Sequence, residues 1–148
     1  MGGVKNFREL RAWQAAITFK RAIYALIDSG ALAKEFKLQG QLREAAASAP
    51  SQVAEGYGRW NPADFARFVV MARASTIECQ NHLDDAVDRR LIADQTRAAH
   101  EALAQEALRE MGGLLDYLQS PEAEENAKRA KARRIARRQL RTRNQNEN

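Results

Sequence analysis

The chain of 148 residues has little cysteine, little proline and no long hydrophobic run. Its lone cysteine, Cys79, permits no disulfide within the chain, which is typical of a reducing compartment. No stretch approaches the roughly eighteen consecutive apolar residues that a membrane-spanning helix needs. The opening residues, Met-Gly-Gly-Val-Lys-Asn, lack the apolar centre of a secretion signal. We therefore expect a cytoplasmic protein without a membrane partner.

Acidic residues are absent from one long part of the chain, between Asn126 and Asn144. Residues 1–121 hold 15 basic and 15 acidic side chains, whereas residues 122–148 hold nine and four, so the net charge of +5 lies in the second group. The composition thus predicts a charge-neutral body, residues 1–120, and a basic tail, residues 121–148.

The sequence also lacks alternating apolar and polar residues bounded by turn residues, the pattern that predicts strands. The body shows helical periodicity of its apolar residues instead. Asn6 with Glu9 forms a capping-box pattern, Asn61-Pro62 gives an N-cap followed by a first-turn proline, and Asp94 offers a further cap. The four helices are predicted at residues 6–29, 37–56 and 61–90, and from residue 94 onward. Their short connections favour an all-α fold, an antiparallel up-down four-helix bundle.

The predicted first helix carries more apolar surface than one face of a bundle needs. One stripe holds Leu10, Trp13, Ile17, Tyr24 and Ile27, and a second holds Ala16, Phe19, Ile23 and Leu26. Together they cover about half of the circumference at about 100° per residue. Either flanking loops cover the extra apolar surface, or the helix forms an oligomer interface that includes Trp13, Phe19 and Ile23.

The most informative segment runs from Gln41 to Arg59. Its alanine-rich helical pattern contains Pro50, which lacks a backbone donor and clashes with the preceding turn, so the second helix is predicted to bend there. Small residues at positions 45–49 favour close approach of another helix. Gly56 or Gly58 is expected to end the helix, with a positive φ at or next to Gly56.

The same segment resembles the signature of the small four-helix-bundle proteins encoded in intervening sequences of large-subunit rRNA genes. That family also includes relatives of the accessory protein of diversity-generating retroelements. The resemblance covers roughly residues 7–118, and Gln52 and Ala74 depart from it where asparagine and glycine are usual. It implies the bundle fold and a homopentameric assembly. The signature residues, taken as structural, are Ser48, Pro50, Ala54, Glu55, Gly56, Tyr57, Gly58, Arg59, Ser75 and Glu78.

The basic tail is predicted to be helical or disordered and not to dock on the body. Its cations point in nearly all directions of a helix, and only Ile135 and Leu140 are large and apolar, which argues against a membrane-lying helix. Arginine outnumbers lysine seven to two from position 128 onward, which favours bidentate contacts to phosphate over a merely solubilising role. The expected nucleic-acid-binding residues are Lys128, Arg129, Lys131, Arg133, Arg134, Arg137, Arg138, Arg141 and Arg143, with Arg43 and Arg59 on the body.

No pattern of side chains predicts a catalytic or metal site. His82 follows Glu78 at i+4, not at the i+3 spacing of di-iron bundles, and His100 has no evident metal partner. Cys79 lies on the apolar line of the third helix and is expected in the core. Ser75 is expected to join Glu55 and Glu78 in a polar network between helices. We therefore expect no enzymatic activity, no cofactor and no metal.

Two functions stay open from the sequence. The first is a non-enzymatic homo-oligomer that binds structured RNA or an RNA–DNA intermediate through phosphates and shape, with a reverse transcriptase as a further partner in a retroelement. The second is a structural or protein-interaction module whose basic tail docks an acidic partner.

Overall fold

The computed structural model describes residues 3–146, which form a short 3₁₀ helix and five α helices, with no strand in that range. The all-α prediction is confirmed, and the basic tail is helical. None of these helices is long and apolar enough to cross a membrane. The elements are the 3₁₀ helix Phe7–Glu9, α1 (Arg11–Asp28), α2 (Phe36–Tyr57), α3 (Pro62–Asp88), α4 (Asp94–Leu118) and α5 (Pro121–Asn146).

The predicted first cap forms, but it starts a single turn instead of the whole first helix. The Asn6 side chain accepts a hydrogen bond from the Arg8 backbone N–H at 2.9 Å, and Glu9 accepts one from the Lys5 backbone N–H at 2.9 Å. Leu10 then takes an extended conformation with ψ of 125°, which interrupts the helical path. The continuous helix therefore begins at position 11, five residues later than predicted.

The other boundaries follow local chemistry closely. Gly30 adopts φ of +86° just beyond α1, as the predicted stop requires. The Asn61 side chain accepts hydrogen bonds from the backbone N–H groups of Ala63 and Asp64 at 2.8 and 3.3 Å, so the predicted start of α3 is confirmed. Asp94 is the first residue of α4 and makes no capping bond, so that predicted cap is wrong.

The core consists of two clusters of buried apolar side chains, one toward each end of the helices. Helices α1 to α4 each pack against the next in chain order, and α4 also packs against α1. One cluster includes Phe19, Ile23, Leu42 and Leu83, and the other includes Ala16, Val53, Val69 and Met111. Burial of each large apolar side chain contributes about 1.5–3 kcal/mol, so these clusters supply most of the driving force for folding.

Two of the three predicted interface residues lie inside this core. Phe19 is 1% exposed and Ile23 is 0% exposed, because neighbouring helices and the connection at Leu32 cover the second apolar stripe of α1. Neither side chain is available to another copy of the folded chain, so that part of the interface prediction is wrong. Trp13 is half-buried and packs edge-on against Phe7, with ring centroids 5.3 Å apart.

Gly56 is needed for a reason other than the one predicted. α2 continues through Pro50 to position 57, and the only positive φ values among the described residues belong to Gly30 and Arg90. A Cβ atom at Gly56 would lie 2.5 Å from Cδ2 of Phe65 and 2.9 Å from Cβ of Phe68. The missing side chain therefore lets α2 approach α3 closely, and the prediction of a positive φ is wrong.

Candidate nucleic-acid interface

The start of α5 is fixed to the body by a short polar and apolar contact. The Ser120 hydroxyl donates to the Tyr117 carbonyl at 2.6 Å and accepts from the Ala123 backbone N–H at 3.3 Å, which caps the helix. The Asn126 side-chain amide donates to the Tyr117 hydroxyl at 3.1 Å, and Ala123 is buried. The prediction that the tail does not dock on the body is therefore wrong at the start of α5.

Beyond that anchor, α5 carries its cations in the open. Lys128 and Arg129 pair with the glutamates one turn earlier, Glu124 at 3.0 Å and Glu125 at 3.3 Å, and the first of these hydrogen bonds raises the pKa of Lys128. Most of the remaining cations have no carboxylate partner among residues 3–146. These exposed side chains are Lys131, Arg133, Arg137, Arg138 and Arg141.

One cation of α5 has an aromatic partner that sequence reasoning missed. The guanidinium of Arg134 lies over the ring of Trp60, 4.6 Å from its centroid. Trp60 occupies the connection between α2 and α3, immediately after the signature segment, and is 75% exposed. The sequence did contain a signal for this exposed ring. Trp60 follows Arg59 in a short connection between Gly58 and Asn61, where few neighbouring side chains are available to bury a tryptophan.

The two body arginines of the prediction occupy different places. Arg59 pairs with Glu55 at 3.0 Å and lies over the ring of Phe68 at 4.8 Å, and it directly precedes Trp60 in the chain. Arg43 is exposed on α2 sixteen positions earlier, about 24 Å away at 1.5 Å per residue. Arg59 therefore adjoins the connection whose Trp60 contacts α5, whereas Arg43 lies apart from that connection.

The signature residues mostly serve the contact between α2 and α3. Ser75 Oγ lies 2.9 Å from Ser48 Oγ, which joins the two helices. Tyr57 packs edge-on against Phe65 at 6.4 Å and its hydroxyl donates to the Val4 carbonyl at 3.4 Å. Pro50 is buried and Ala54 is half-buried along α2, and the backbone N–H of Gly58 closes the helix on the Ala54 carbonyl at 3.3 Å.

The predicted polar network of Ser75, Glu55 and Glu78 does not form, because each carboxylate has a partner on its own helix or just beyond it. Glu55 pairs with Arg59, while Glu78 pairs with His82 at 3.4 Å on its own helix. Both carboxylates are more than half exposed, so neither joins Ser75 inside the bundle. Among residues 3–146 no cluster of three or more histidine, cysteine or acidic side chains is arranged to hold a metal ion.

Cys79 and His100 each contact a carbonyl group of another helix. Cys79 is fully buried with its sulfur 3.8 Å from the Leu42 carbonyl, and burial is the main cause that raises its pKa from 9.0 to about 12. The thiol therefore stays protonated, as expected of a core residue. His100 places its ring nitrogens 2.7 Å from the Thr96 carbonyl and 3.1 Å from the Ala22 carbonyl, which links α4 to α1.

Comparison with known proteins places this fold in a family. The chain is similar to a solved protein of unknown function from the S23 ribosomal protein family of Bacteroides thetaiotaomicron VPI-5482, with a TM-score of 0.59 and 16% identity over 74% of this chain and 99% of that one. This likeness shows the fold alone. A search of curated proteins gives no match. A sequence model described as 23S rRNA-intervening sequence protein matches residues 8–113, well over half of the chain, and the chain therefore belongs to that family.

Proposed function

We propose that this protein is a non-enzymatic, homo-oligomeric nucleic-acid-binding protein whose α5 contacts the phosphates of structured RNA. One observation carries the proposal: the basic segment 128–143 forms an exposed helix on a charge-balanced body. At least five of its cations have no carboxylate to neutralise them within the described chain. Unpaired guanidinium groups are the side chains best suited to bidentate phosphate contacts.

The distribution of these cations favours phosphates and shape over base edges. Residues 128–143 extend for about 24 Å along a helix of 1.5 Å rise, and exposed cations are distributed along that whole length. Reading of base edges needs a few side chains aligned toward one groove. Contacts spread along the length of a helix suit a backbone of closely spaced charges, such as that of RNA.

We infer that α1 to α4 form the antiparallel up-down four-helix bundle that the sequence predicts, with α2 bent at Pro50 and α5 as an added helix. The membership of the two core clusters supports this arrangement. One cluster combines residues late in α1 and α3 with residues early in α2 and α4, and the other cluster combines the opposite ends. Helices that alternate in direction produce this pairing of ends.

We place the self-association surface on α3 and not on α1. Val70, Met71 and Ile77 are 53%, 43% and 49% exposed, and together with Ala74 they lie at helical spacing on one outward face. A contact with a second copy would cover this apolar face. The resemblance to the rRNA intervening-sequence proteins implies five subunits, which would present five copies of α5 to one RNA and strengthen weak single contacts.

The α3 face also supports the second candidate, a protein-interaction module whose α5 docks an acidic partner. A reverse transcriptase is proposed as a protein partner on the resemblance to the retroelement accessory proteins. Co-expression of this protein with a reverse transcriptase, followed by size-exclusion chromatography, tests this interaction. Elution of the two proteins in separate peaks contradicts it.

A charge-matched pair of triple variants tests the RNA proposal. One variant changes Arg133, Arg137 and Arg141 of α5 to glutamine, and the control changes the exposed Arg21, Lys34 and Lys37 of the body to glutamine. Both lose three positive charges, so bulk electrostatics affects them alike. We expect the α5 variant to bind a structured RNA at least tenfold more weakly than the control at physiological salt. Equal binding by the two variants contradicts the proposal.

A further inference from the structure

The connection between α2 and α3 faces α5 across a cleft. This cleft has two adjoining sides, one on each flank of Trp60 and Arg134, and their lining residues differ. Trp60, Ala130 and Arg134 line both sides. The side of about 480 Å³ also holds the carboxylates of Asp64 and Glu124, which would repel an anion. The side of about 510 Å³ contains no acidic residue and is lined by Trp60, Ala130, Arg133, Arg134, Arg137, Arg138 and Arg141.

Trp60 is the unusual member of this group. A tryptophan side chain has a large apolar surface whose burial is favourable, yet Trp60 is 75% exposed, with the guanidinium of Arg134 over its ring at 4.6 Å from the centroid. The small side chain of Ala130 keeps the space beside the ring open on the α5 side. A flat, exposed ring with five guanidinium groups around it combines the two features of single-stranded nucleic-acid sites, a stacking platform and a positively charged groove.

We propose that this cleft binds an unpaired nucleotide, with its base stacked on Trp60 and its flanking phosphates held by Arg137 and Arg141. The proposal rests on the proposed RNA-binding function and specifies its ligand: the protein prefers RNA with an exposed base over a continuous duplex. The volume of about 510 Å³ lies in the range that accommodates a ligand of nucleotide size. Because stacking is available to every base, the site selects unpaired structure and not sequence.

Two binding reactions separate this inference from the function on which it rests. The probes are a short oligouridylate and a blunt RNA duplex with the same number of phosphates, each titrated into the full-length protein. Trp60→Ala is expected to weaken oligouridylate binding about tenfold and to change duplex binding less than twofold, whereas Trp60→Phe restores most of the loss. Phe36→Ala is the control, because Phe36 is equally exposed at the opposite end of α2.

Fluorescence gives a second readout that needs no change at Trp60. In a Trp13→Phe variant the only remaining tryptophan is Trp60. Stacking of a base on its ring should quench this emission when oligouridylate binds, and duplex should quench it little. Equal loss of both ligands in Trp60→Ala, or no quenching, overturns the inference and leaves Trp60 as a contact that only orients α5. If the wild-type protein binds neither probe, the proposed function itself fails.

Discussion

Replacement of Gly56 by alanine tests the close approach of α2 and α3. The added Cβ would lie 2.5 Å from the buried ring of Phe65 and 2.9 Å from Cβ of Phe68, which is fixed to the backbone of α3. Relief of these contacts requires the helices to separate, and overpacking of this kind costs about 1–3 kcal/mol. The same change gains about 1 kcal/mol because alanine has a higher helix propensity than glycine. Since Cβ of Phe68 cannot move away, we take the overpacking cost as about 3 kcal/mol and expect the free energy of unfolding to fall by about 2 kcal/mol.

Gly40→Ala provides the matched control for this prediction. Gly40 lies in the same helix, and a Cβ there would meet nothing within 4 Å, so only the favourable propensity term applies. Thermal unfolding followed by far-UV circular dichroism, at one fixed protein concentration, measures both variants. We expect Tm to fall by about 4–8 °C for Gly56→Ala and to rise for Gly40→Ala. A rise for both variants would refute the close approach of α2 to α3.

Four further predictions concern the core and the surface. The buried thiol of Cys79 should fail to react with Ellman's reagent at pH 8 in the native protein and should react fully in urea. Folding raises the pKa of this thiol from 9.0 to about 12, so the protonated thiol contributes fully to stability below pH 9 and this contribution is lost as the pH rises toward 12. Urea titrations between pH 9 and pH 12 should therefore show a smaller fall in the free energy of unfolding for Cys79→Ala than for wild type. Phe19→Asp should abolish the cooperative unfolding transition, since an unpaired charge would enter the core, and a normal transition would place Phe19 on the surface. Ile77→Glu should retain full helicity but give a monomer mass by light scattering, whereas an unchanged assembly would move the contact away from α3.

Features that depend on neighbouring residues in the chain could be predicted from the sequence. The start of α3 follows from Asn61 and Pro62, which supply a capping oxygen and a preset φ within one turn. The stop after α1 follows in the same way from Gly30, whose backbone reaches φ of +86° without a Cβ clash. In both cases the deciding interaction spans only a few residues.

Features that depend on packing between distant segments could not be predicted in the same way. Periodicity shows how much apolar surface α1 has, but it does not say which neighbours cover it. It therefore leaves an interface open as a place for Phe19, which lies in the core. Gly56 is needed because of two side chains on the next helix, not because of its own φ. The contact between Trp60 and Arg134 joins positions far apart in sequence, and only the folded chain brings them together.

RNA binding across a salt series, by the full-length protein and by a chain that ends after Ala127, tests the central claim most directly. The shorter chain keeps Ala123 and Asn126, which anchor α5, and removes every cation from Lys128 onward. If about half of the nine cations neutralise phosphates, the slope of log K against log salt is about −4 per α5 helix, and steeper when several helices contact one RNA. We predict that truncation removes most of this slope and most of the affinity. Equal slopes and equal affinities for the two chains would contradict the assignment of nucleic-acid binding to α5.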